Sequence, residues 1–148
     1  MALDRVDLAD LVDLRSVIET AALARAAVAP DPAFLDEARA ALDVMRRPGI
    51  AIADYQEADL RFHAALVGAS GNIAMHLVML SVRGVLARFM VGTQATMADG
   101  RKRLESTTAE HAAILDAVDG SDGAAAIRHA REHILGSLRL IDGGGRRS

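Results

Sequence analysis

Asp59 and His63 stand four residues apart in a stretch whose apolar residues recur at helical spacing, so their side chains share one face of a helix, one turn apart. Projected at about 100° per residue, the segment 50–69 places both among Ile52, Tyr55, Phe62 and Leu66, with Asp54, Glu57 and Arg61 on the opposite side. The carboxylate and the imidazole therefore point to where the core should be. An ionised carboxylate in an apolar interior is costly unless it is paired or bound to a metal. Any fold this chain adopts has to bring further polar groups to that helix.

Strand-like alternation is absent, alanine and leucine dominate, and aromatic residues make up only 3% of the chain. The expected fold is all-α, an antiparallel bundle of six to seven helices forming one domain over residues 1–148. The first helix is expected over 8–29, stopped by Pro30 and Pro32, and a second over 32–46 or 47 with Asp31 as its N-cap. The helix of Asp59 and His63 ends at Ala69-Ser70-Gly71. Asn72 then caps a fourth helix over 73–94 or, alternatively, contacts a ligand. That fourth helix is apolar nearly all round, which predicts burial in the bundle or sharing with a partner chain. Its methionines and Met97 read as core filling, and His76 as an ordinary surface or interface histidine. A polar, basic connection over 98–103 leads to a fifth helix over 104–118, and a turn over 119–123 to a sixth over 124–141, followed by a frayed basic tail over 143–148.

Four more polar groups fall on inward faces. His111 shares its face with Leu104, Thr107, Ile114, Leu115 and Val118, and His133 lies with Ala126, Ala130, Ser137 and Leu140, while His129 sits nearer the edge. On the first helix, Arg15 and Glu19 lie within the apolar stripe of Leu8, Leu11, Ile18, Ala22 and Ala26. They form either an intrahelical pair or, for Arg15, an anion-binding group in a pocket. Asp59, His63, His111 and His133 together offer three neutral imidazoles and a carboxylate, a donor set suited to Zn²⁺, Ni²⁺ or Mn²⁺, and a bundle interior commonly houses such sites. A divalent ion balanced by one carboxylate leaves the site positive. That favours a small carboxylic acid as guest, with Arg15 gripping its other end.

Composition closes other routes. The chain has no cysteine, so neither a disulfide nor a thiolate metal site is available, and a reducing cytoplasm is the expected compartment. Net charge is −3, which argues against this chain itself gripping a nucleic-acid backbone. No apolar run reaches the roughly 18 residues of a membrane span.

Four pieces occur in order: Asp13-Leu-Arg15-Ser-Val-Ile-Glu19 with alanines after it; Asp59-Leu-Arg-Phe-His63 followed by Ser70-Gly-Asn72; Glu110-His111-Ala-Ala-Ile-Leu-Asp-Ala117; and Ala124-Ala-Ala-Ile through His133-Ile. On these pieces, which cover nearly the whole chain, the sequence resembles the C-terminal effector-binding (FCD) domain of FadR-type regulators in the GntR superfamily. The resemblance implies a metal held by Asp59, His63, His111 and His133, with Arg15 facing the effector pocket, and places the chain with the metal-binding subgroup. Such regulators carry a winged helix-turn-helix domain ahead of this one, for which the chain has no room, so the expectation is an excised domain or a regulator without its reader head. The function expected is ligand sensing, not catalysis. On this expectation the protein binds a metal and a small carboxylate, forms a homodimer, and acts on DNA only through a separate domain. The alternatives are a small metal-dependent hydrolase, with Glu19 and Glu110 the nearest candidates for a general base, and a helical dimerisation module without metal.

Overall fold

The structure, a computed structural model, describes residues 6–91 and 100–144. Among them lie six α-helices and no strand: α1 Leu8–Ala26, α2 Pro32–Met45, α3 Ile52–Ala69, α4 Ile73–Val91, α5 Gly100–Asp119 and α6 Gly123–Gly144. The expectations for residues 92–94, 98–99, Met97 and 145–148, and for the side chains of Met90 and Leu140, lie outside the described residues.

Local chemistry explains most boundaries. Asp7 opens α1 with a capping box, its Oδ1 accepting from the Asp10 N–H at 2.9 Å. α1 ends three residues before the expected 29. Pro30 disfavours a helical conformation at Ala29, and the chain unwinds through turn bonds from Val28 and Ala29 to the Arg25 carbonyl. Asp31 caps α2 through the Ala33 N–H, with Pro32 in the first turn, as expected. α5 begins at Gly100, so residues 100–103 of the expected polar connection are helical. Arg101, Lys102 and Arg103 are good helix formers that extend the helix into solvent without needing an apolar face. α6 likewise runs past the expected 141. In the turn before it, Ser121 takes the left-handed conformation at φ 57°, and Asp122 caps the helix through the Ala125 N–H.

α3 is the hub. It packs on α2, α4 and α1, while α6 lies on α1 and α5, and α2 touches α5. Short turns make the neighbouring pairs antiparallel. From Phe62 to Ser70 every residue of α3 and its C-cap is buried. Glycine at 68 permits this on one side, because a Cβ there would lie 2.4 Å from the Phe34 ring of α2. The principal core joins Leu23 and Ala26 of α1, Leu35, Leu42 and Met45 of α2, Tyr55, Phe62 and Leu66 of α3, Ile114, Leu115 and Val118 of α5, and Ala126 and Ala130 of α6. α4 adds Met79, Val82 and Leu86 to smaller clusters with α1 and α3. Its other face is open, with Ile73 63% and Leu77 57% exposed. Of the two expectations for this helix, full burial within the chain therefore does not hold. No helix among the described residues is long and apolar enough to cross a membrane.

Candidate metal centre

The helical register that puts Asp59 and His63 on the inner face of α3 brings them against the inner faces of α5 and α6. Asp59, His63, His111 and His133 are all buried, and one ligand-capable atom from each lies within 4.8 Å of all the others. His63 Nε2 is 3.1 Å from His111 Nε2 and 3.2 Å from His133 Nε2. Asp59 Oδ1 is 2.7 Å from His111 Nε2 and 3.7 Å from His63 Nε2. Metal–nitrogen bonds of about 2.1 Å place neighbouring ligands of one ion about 3.0 to 3.4 Å apart, so the nitrogen spacings match a shared ion.

The outer nitrogens decide what the inner ones can be. His63 Nδ1 faces Glu19 Oε2 at 2.8 Å, His133 Nδ1 faces Glu110 Oε2 at 2.7 Å, and His111 Nδ1 faces the Thr107 carbonyl at 2.7 Å. A carbonyl and two ionised carboxylates only accept, so each Nδ1 must carry the proton and donate it. In a neutral ring that leaves Nε2 as a bare lone pair. Three bare nitrogens and one carboxylate oxygen thus converge with no donor among them. The contact from His111 Nε2 to Asp59 becomes a hydrogen bond only if that ring takes a second proton. Either a proton or a metal ion has to occupy the centre, and the donor set is that of a borderline divalent metal.

The ionisation states agree with this geometry. Burial, reinforced by the Arg15 charge, pushes His63 down to about 4, and burial also lowers His133 despite its bond to Glu110. His63 and His133 are therefore neutral near pH 7. Burial works against ionisation of Asp59, yet the hydrogen bond and charge that His111 supplies when doubly protonated, the charge of a protonated His63, and Arg15 hold it well below the usual carboxylate range. Glu19 is likewise desolvated, and His63 and Arg15 hold it at about 2. Glu110 is lowered chiefly by its bond to His133.

Of the two expectations for Arg15, the intrahelical pair is present. Its Nε–H donates to Glu19 Oε1 at 2.7 Å, an intrahelical pair. Its Nη2 is buried without a hydrogen-bond partner, the one such side-chain atom among the described residues. A buried guanidinium corner without a partner is a group that an anion can satisfy. Asn72 is elsewhere. Its Oδ1 accepts from the Met75 N–H at 3.1 Å and caps α4, at the far end of an α3 segment that rises about 9 Å from His63 to Ala69. His129 stays at the edge, half-buried, in a cleft of about 360 Å³ between α5 and α6 that also exposes Glu110 and Glu132. His76 is half-buried, with Nδ1 on the Ala64 carbonyl and its ring against Phe34.

Sequence reasoning did not find the partners that orient the ligands. Glu19 figured there as a possible intrahelical partner of Arg15 and, with Glu110, as a possible general base. Glu110 does turn away from the histidine next to it, and it reaches His133 on the neighbouring helix instead. The available signal was the inward place of Glu19 on α1, whose second oxygen the pair with Arg15 leaves free to reach another helix.

The FCD domain family model matches residues 10–136, a span that includes all four converging residues. Among solved structures, the chain is similar to E. coli McbR/YncC, with a TM-score of 0.69 over 93% of this chain and 68% of that one, at 13% identity. At that identity the likeness concerns the fold alone. No curated protein matches the chain.

Proposed function

The chain belongs to the FCD domain family, and from that premise we propose that it is the ligand-sensing domain of a GntR/FadR-type transcriptional regulator, holding a divalent metal and binding a small carboxylic acid. The observation that carries the metal is the convergence of three bare imidazole nitrogens and the Asp59 carboxylate within 4.8 Å, with no donor among them. Asp59, His63, His111 and His133 would hold Zn²⁺, Ni²⁺ or Mn²⁺, and the ion would supply a positive coordination site for one end of the acid. The buried, unpaired Nη2 of Arg15 is the natural receptor for another part of the same anion. Asn72 can join the effector contacts only through atoms not engaged in capping α4.

A sensor works by binding its effector more tightly in one arrangement of helices than in another. The effector enters among α1, α3, α5 and α6, and a shift of α1 or α4 would carry the signal to a separate winged helix-turn-helix domain that reads DNA in the cytoplasm. The exposed apolar face of α4 supports a homodimer built on that helix. A hydrolytic reading is less favoured on specific grounds, since both candidate bases are committed to orienting ligands, Glu19 to His63 and Glu110 to His133.

The test is metal content of the purified protein by plasma mass spectrometry, with thermal melting before and after chelation. About one ion per chain is expected, together with a lower melting temperature once it is removed. An absence of bound metal, with no shift on adding Zn²⁺, Ni²⁺ or Mn²⁺, would leave only a helical module.

A further inference from the structure

The three imidazoles are held in different ways. His111 is oriented by the Thr107 carbonyl of its own helix, and His133 by Glu110, whose side chain is 48% exposed. His63 is oriented by Glu19, which is 1% exposed and comes from α1. The second oxygen of Glu19 accepts from Arg15 Nε–H, one turn back on the same helix. Neither Arg15 nor Glu19 belongs to the four converging residues. The two ends of one buried carboxylate therefore touch the metal-ligating shell on one side and the anion-seeking arginine on the other.

We propose that Glu19 is the positioning residue that couples metal to effector: it sets His63 for the ion and Arg15 for the acid, so that filling either site strengthens the other. The inference rests on the sensor reading above. Both partners of Glu19 are N–H donors, so the residue between them needs an acceptor at each end, which a carboxylate has and an amide lacks. A cation on His63 Nε2 polarises the ring and strengthens the Nδ1–H bond to Glu19. Glu19 then neutralises Arg15 less, and the guanidinium becomes a better anion receptor. In reverse, an anion on Arg15 weakens that residue's hold on Glu19, which accepts more strongly from His63 and makes Nε2 a better ligand. The two effects have the same sign, as linkage requires.

The experiment uses zinc alone. Zinc affinity is measured by competition with a chromophoric chelator, and the Arg15 Nε–H resonance is followed by NMR with and without zinc, in the wild type and in Glu19→Gln. In the wild type, zinc is expected to shift the Arg15 resonance. Glu19→Gln is expected to bind zinc about 10- to 100-fold more weakly, and its Arg15 resonance to stay still at zinc saturation. Should the Gln variant not fold, Glu19→Asp replaces it with the same expectations, since it keeps the charge but is a methylene too short to reach both partners. An Arg15 resonance that ignores zinc in the wild type, or unchanged zinc affinity in the folded variant, overturns the coupling and leaves the sensor reading standing. A wild-type protein with no affinity for zinc, nickel or manganese overturns both.

Discussion

The side of α3 that meets α2 and the side that meets α1, α5 and α6 are equally buried and chemically opposite. Towards α2, Ala58, Ala65, Leu66 and Ala69 share a cluster with Leu35, Ala38, Leu42 and Met45, and Phe34 closes over Gly68. Every contact there is complete within the chain. On the other side, Asp59 and His63 meet His111 and His133, with Glu19 against His63, and the polar atoms are satisfied outwards but not inwards. Apolar packing is non-directional and needs no third party. A cluster of converging acceptors lowers its energy only when a cation arrives. Of two buried regions, then, one is complete as apolar packing and the other gathers acceptors that a cation could bridge.

Substitutions should separate the two sides, and the largest expected effect lies where they meet. Phe62 is wholly buried in the apolar cluster and also packs its ring in T-shaped contact with those of His63 and His111. Phe62→Ala should cost about 3–5 kcal/mol, in metal-free and metal-loaded protein alike, as read by denaturant unfolding. A loss confined to the loaded protein would mean that Phe62 serves the site alone.

Next come the ligands. His111→Ala and His133→Ala should each lower metal content sharply and abolish the stabilisation by added metal, which reaches about 4 kcal/mol when free metal is 1,000 times its dissociation constant. The metal-free melting temperature should fall far less than for Phe62→Ala. Full metal occupancy in both variants would break the four-ligand site.

Acidification should also act on the polar side. His63 titrates at about 4 in the folded metal-free protein against an ordinary 6.5, so the unfolded chain binds more protons between those values. Stability should fall by roughly 1–3 kcal/mol as pH drops through that window. Glu19, held at about 2 against an ordinary 4.5, extends the loss below pH 4.5. With metal bound the decline should be steeper, because protons displace the ion from the imidazoles. Urea titrations at stepped pH would measure both, and a flat profile from pH 7 to 4 would contradict the neutral buried histidines.

The smallest effects compare two polar residues at different places. Asn72→Ala should cost about 1 kcal/mol for the lost cap of α4. Arg15→Ala should weaken carboxylate binding while leaving the metal in place. Titration of both variants with small carboxylates decides whether Asn72 also touches the effector. An acid affinity unchanged in Asn72→Ala would reduce that residue to its cap.

Much of this was legible in the chain. Proline at 30 and 32, the caps at Asp31 and Asn72, and the helical spacing of apolar residues located the helices, because those signals are local and act within a turn or two. The inward register of Asp59, His63, His111 and His133 followed from the same periodicity, as did the inward Arg15 and Glu19. The ends were less legible. α1 stops short of Pro30 because of the residue before the proline, and α5 runs through a charged stretch that carries no apolar signal.

By itself, then, the sequence determined which residues face inwards, since a side chain's direction on a helix depends only on its own neighbours. Only the tertiary structure decided which inward residues meet. It joined Glu110 to the histidine of the next helix and not to the one beside it in sequence, stretched Glu19 between His63 and Arg15, and left one corner of Arg15 buried without a hydrogen-bond partner from the chain. Those outcomes depend on how far apart and at what rotation the helices pack. That is set by the sum of many side-chain contacts such as Phe34 on Gly68, and no periodicity in one dimension records it.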